Sequence, residues 1–157
     1  MSVTIELLDC MLTPTPGHPA EALYQSVPLS NRVRQLTALL AQLYTCTNAD
    51  AAIAANNAGR SMLAAVLLRR DIGTLGGSEA MTGLPQNETI QLLGEVAEPL
   101  MSLFSQEGGA RQQQQQQSRR QIGHCIAELC GSLSVVSESH GREWMKSVLG
   151  RLQPGVS

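Results

Sequence analysis

Three kinds of residue in this 157-residue chain have the chemistry for a site: histidines with cysteines, a glycine cluster, and paired arginines. His124 beside Cys125 is the nearest approach to a metal pair. Adjacent helical residues point about 100° apart, so the two serve a single ion poorly. His18 and His140 lie elsewhere in the chain. Cys10, Cys46, Cys125 and Cys130 form no C-x-x-C pair. They read as small buried hydrophobes of a reducing compartment. Gly73-x-x-Gly76-Gly77 lacks the G-K-[S/T] ending of a phosphate-cradling loop and reads as a linker. Ser, His and Asp all occur, but without a nucleophile elbow. No catalytic residue, metal or cofactor is therefore expected, and the chain is expected not to be an enzyme.

The arginines remain. Ten of the eleven basic residues are Arg, with Lys146 the single Lys. Arg69 and Arg70 close the apolar run Met62 to Leu68, and Arg119 and Arg120 precede another apolar stripe. Cations at a helix carboxyl end complement its dipole, which is one account of Arg69–Arg70. Guanidinium forks reaching a partner's carboxylates are the other. A formal charge of −2 leaves no footprint for a nucleic-acid backbone, so no direct nucleic-acid partner is expected.

The elements that would position these residues are helices. Apolar residues make up 43% of the chain, yet only Tyr24, Tyr44, Phe104 and Trp144 are aromatic. A core of Leu, Ala, Val and Met suits helices better than sheets. Helical spacing marks seven segments. A short one spans Val3 to Leu12 and stops at Thr13-Pro14-Thr15-Pro16-Gly17. A second, from Pro19, ends at Val27-Pro28. A third carries Val33, Leu36, Leu39, Leu40 and Leu43, with Ser30 as its cap. A fourth is expected from Asp50 to Asp71, before a linker of about 73–86 begun by Gly73. A fifth, capped by Asn87, carries Ile90, Leu93, Val96, Leu100 and Phe104, with a kink expected at Pro99. Gly108–Gly109 and the glutamine run Gln112–Gln117 come next, the run either extending the following helix or leading into it. The sixth carries Ile122, Cys125, Ile126, Leu129, Leu133 and Val136, and the last runs from about Arg142 to Leu152 before Pro154-Gly155. No period-two alternation predicts a strand.

The fold class expected is all-α: an α-solenoid of HEAT-like antiparallel helix pairs, about three pairs and one further helix. Periodicity alone fits a compact helical bundle nearly as well. No apolar run reaches the length of a membrane span, and no secretory leader is visible, so a soluble, intracellular chain without a membrane partner is expected.

Several of these segments, in order, resemble the opening of the importin-β (karyopherin-β) family of nuclear transport receptors. Those residues are Leu7-Leu8, Met11-Leu12-Thr13-Pro14, Pro19-Ala20-Glu21-Ala22-Leu23-Tyr24 and Val27-Pro28. Ala64-Ala65-Val66-Leu67-Leu68-Arg69-Arg70 is similar to the family's second-repeat helix. Leu84-Pro85 before a long helix fits too. Arg119-Arg120-Gln121-Ile122 with Ile126-Ala127-Glu128-Leu129, then Gly141-x-x-Trp144, are similar to the third and fourth repeats. The likeness is to the importin-five (karyopherin beta three) branch. It departs at His18-Pro19, where the family has Arg, and at Arg60, which lies one residue from the expected position.

The resemblance implies repeats of about 3–27, 29–72 and 87–136, and the start of a fourth at about 140–152. It implies inner helices that bind the GTP-bound GTPase Ran, with Arg69, Arg70, Arg119 and Arg120 as the Ran-facing candidates. Cargo proteins would bind further along a full-length receptor, which works in cytoplasm and nucleus. The chain is then expected to be a fragment, with Trp144 and Val148 left exposed by the missing next helix. The other open reading is a HEAT-like adaptor without Ran binding, or an inactive truncated product.

Overall fold

A computed structural model describes residues 3–12, 19–45, 51–76, 85–105 and 112–152. Every regular element among them is a helix: α1 (Ile5–Leu12), α2 (Ala20–Ser26), α3 (Leu29–Thr45), α4 (Ala51–Leu75), α5 (Gln86–Ser105), α6 (Gln112–Val136) and α7 (Glu138–Leu152). The expected all-α class is what the chain adopts.

Local sequence accounts for three of the helix starts. Pro19, Pro28 and Pro85 each stand immediately before a helix, where a missing N–H costs nothing. Their carbonyls accept from the amides of Leu23, Arg32 and Thr89, at 2.8, 2.9 and 3.0 Å. These starts precede the expected caps, so Ser30 and Asn87 lie inside the first turns of α3 and α5. The expected cap Asp50, the Thr13–Gly17 stop, residues 77–84 of the expected 73–86 linker, Gly108–Gly109 and Pro154-Gly155 fall outside the described residues. The glutamine run forms the first turns of α6. Pro99 lies within α5, which continues to Ser105.

The stripes bury as spaced. Val33, Leu36 and Leu40 of α3, Leu93 and Leu100 of α5, and Ile122, Cys125 and Leu129 of α6 are fully enclosed. α4 is packed on several sides, by α1, α3 and α6. Ala64 and Ala65 in its middle are fully buried, and their small side chains let those neighbours approach closely.

The pairs then stack. α3 with α4, and α5 with α6, form two antiparallel hairpins, placed so that α3 lies beside α5 and α4 beside α6. Contacts between the hairpins join residues about 55–61 positions apart. Arg34 reaches Glu95, 61 residues on. The Cys125 thiol donates to the Ala65 carbonyl across 60 residues, and the Ser132 hydroxyl to the Ile72 carbonyl across 60. Such offsets mean that α4 runs parallel to its neighbour α6, and α3 to α5, the arrangement that translation of one pair onto the next produces. α1 and α2 cover the other side of the first hairpin. The Asp9 carboxylate of α1 accepts both Nε and an Nη of Arg60, at 2.6 and 2.8 Å. Arg60 thus serves the α1–α4 contact.

Two expectations need correction. Gly73 does not end α4, which continues to Leu75. A Cβ on Gly76, in the turn that follows, would lie 3.2 Å from the Ser132 Cα of α6. The close approach of α6 holds this end of α4 and offsets a glycine penalty of about 1 kcal/mol. Val148 is 7% exposed and Trp144 half-buried, because α7 begins at Glu138 and folds straight back on α6. Gly141 makes that turn-back possible, with an added Cβ meeting the Ser134 Cα at 2.7 Å. Met145 and Leu149, at 45% and 53%, are the exposed large apolar residues among those of α7 whose burial is described.

Candidate protein-interaction surface

The face built by α2, α4 and α6 carries both the most polar buried cluster and the arginines singled out by sequence. Its foundation is Tyr24, fully buried on α2, whose hydroxyl donates to Asp71 Oδ2 of α4. Arg32 of α3 stands 3.7 Å from the same oxygen, with 10% of its side chain exposed against 3% for Asp71. It also donates to Gln25 at 3.0 Å. Its guanidinium lies 5.1 Å from the centre of the Tyr24 ring, and that of Arg70 lies 5.3 Å from it. The ring is therefore held by two cations and anchored by one carboxylate. Burial, then the neighbouring Asp71, pushes the Tyr24 hydroxyl well above its ordinary value. Burial likewise raises the Asp71 carboxyl, against the lowering by Tyr24, Arg32 and Arg70.

Above this foundation lie the exposed cations. Arg69 and Arg70 are adjacent on α4 and diverge by about 100°. Arg70 turns toward α2 and meets Glu21 at 3.5 Å, with side chains 46% and 59% exposed. Arg69 turns toward α6, where a guanidinium nitrogen lies 3.4 Å from His124 Nδ1. Arg120 is exposed one turn before His124, on the same face of α6. Arg69 and Arg70 of α4, with Arg120 and His124 of α6, thus line one strip, bordered on the α2 side by Glu21.

Arg119 does not join them. Its guanidinium donates to the Phe104 carbonyl at 3.1 and 3.2 Å and lies 4.4 Å from the centre of that ring. It satisfies a terminal carbonyl of α5, the usual need at a helix end.

Sequence reasoning passed over the Tyr24–Asp71–Arg32 cluster. One signal was present: Arg32 falls one turn before Leu36, in the stripe of α3, and a charge there calls for a buried partner. Nothing local identifies Asp71 as that partner. Cys125, beside the strip, is buried and its thiol pushed up to about 12. It remains a thiol at neutral pH. Among the described residues no three His, Cys, Asp or Glu side chains come together as a metal site, and no helix is long and apolar enough to cross a membrane.

Fold and surface together define a class: an all-α chain of stacked antiparallel helix pairs in the manner of helical-repeat proteins, with a cationic strip along one helix layer. No protein-family model, curated protein or solved structure matches the chain.

Proposed function

We propose that this chain is a protein-binding helical-repeat module, working as the amino-terminal part of a nuclear import receptor whose α2–α4–α6 layer engages GTP-bound Ran. The observation that carries the reading is the strip itself: Arg69 and Arg70 of α4 and Arg120 of α6 emerge from two neighbouring helices that the resemblance makes inner helices. Stacked pairs bury one face against each other and leave one layer open, which suits them to bind other proteins. Salt screens exposed arginines, so binding through them weakens as ionic strength rises.

A pull-down with Ran loaded with GTP or GDP tests this. Preferential capture of the GTP form, reduced when Arg69 and Arg70 are both replaced by Gln, is the expected result. Equal capture of both forms would remove Ran from the proposal. A second reading is a HEAT-like adaptor with no GTPase partner, which rests on the stacked helix pairs alone. It predicts binding that ignores the nucleotide.

A further inference from the structure

We infer that the strip of Arg69, Arg70, His124 and Arg120 receives an acidic segment of a partner protein, and that Glu21 is the internal carboxylate which that segment displaces from Arg70. The inference rests on reading α2, α4 and α6 as the partner-binding layer, and it names the chemistry of the partner.

Charge is the first argument. The chain as a whole carries −2, yet three arginines gather on this layer. Glu21 and Glu128 border them, and Glu128 lies against Gly73 of α4. The second argument is geometric. Arg70 has its guanidinium over the Tyr24 ring, and that ring is fixed through Asp71 and Arg32. The fork is thus held in place before any partner arrives, which lowers the entropy cost of a new bond. Its present carboxylate, Glu21, stands at 3.5 Å, beyond the spacing of a charge-assisted hydrogen bond. Glu21 also accepts from Gln25 at 3.1 Å, so it keeps a partner when Arg70 leaves. Arg60 shows the contrast: its carboxylate, Asp9, is held by two short bonds and is no candidate for exchange.

The test is fluorescence anisotropy of a labelled oligoglutamate peptide with the full chain, against oligoglutamine of the same length. Glu21→Gln keeps the bond with Gln25 and frees Arg70. Glu88→Gln, on α5, makes the same change of net charge away from the strip. The expected result is binding about two- to fivefold tighter for Glu21→Gln, the scale of one exposed ion pair. Glu88→Gln should match the wild type. Arg70→Gln and the Arg69→Gln/Arg120→Gln pair should each weaken binding at least as much, whereas Arg142→Gln on α7 should not. Helical circular dichroism and melting checks that each variant is folded. Equal affinity for Glu21→Gln and Glu88→Gln overturns the inference, as does an Arg70→Gln chain that binds like the wild type. The peptide assay contains no Ran. A normal peptide response with no Ran capture therefore sinks only the Ran assignment, and Ran·GTP capture unchanged by Glu21→Gln sinks only the displacement.

Discussion

Replacing Tyr24 by Phe removes a single hydroxyl from the base of the α2–α4–α6 layer, and its consequence follows from the geometry there. The ring stays, so its burial and its contacts with Arg32 and Arg70 stay too. What disappears is the donor to Asp71, whose side chain is 3% exposed. Among the described residues no second hydrogen-bond donor reaches that carboxylate. Arg32 Nε, at 3.7 Å, is too far for a hydrogen bond and has no acceptor of its own. A buried hydrogen bond to a charged group contributes about 1.5–3 kcal/mol, so Tyr24→Phe should destabilise the chain by about 2 kcal/mol. For a chain of this size that is a fall in Tm of about 4–8 °C. Urea denaturation followed by helical circular dichroism measures it. With a slope of about 2 kcal/mol per molar urea, the midpoint should drop by about 1 M at unchanged slope. A loss below about 0.5 kcal/mol, the level of an ordinary surface change, would refute the claim that this bond anchors α2.

Two further predictions concern the same scaffold. Burial raises the Asp71 carboxyl, so the folded chain holds that proton more tightly than the unfolded one. The carboxylate therefore costs stability above its folded value, and the cost fades as pH falls toward the unfolded value of about 3.9. The stability of Asp71→Asn relative to wild type should accordingly rise with pH across that window in urea melts, and parallel curves would contradict it. Among glycines, Gly141→Ala should cost about 1–3 kcal/mol, because its Cβ would press on the Ser134 backbone at 2.7 Å from Cα and 2.8 Å from N. Gly94→Ala, with nothing within 4 Å, should instead gain about 0.5–1 kcal/mol. Thermal melts of the two variants should therefore shift in opposite directions.

Helix existence was legible because it is a local property. The spacing of Val33, Leu36 and Leu40, or of Ile122, Cys125, Ile126 and Leu129, places each set on one face whatever lies opposite. Pro19, Pro28 and Pro85 mark starts because the ring removes a donor at a point where none is needed. Gly73 misled for the complementary reason. A glycine is a weak helix former alone, but Gly73 sits under Glu128 of α6, and that neighbour is invisible to any local window.

The site divides along the same line. Arg69, Arg70, Arg119 and Arg120 were recognisable as exposed cations on helices, since charged side chains rarely bury without partners. Sequence alone thus determined the helices, their apolar faces and a supply of arginines. Tertiary structure decided that Arg119 turns to α5 while Arg120 stays on the strip, and that Asp71 is sealed under Tyr24 and Arg32. Neighbouring residues on a helix diverge by about 100°, so one rotation of α6 against α4 settles which arginine is spent on the fold and which is presented. That rotation is set by packing between segments some 60 residues apart.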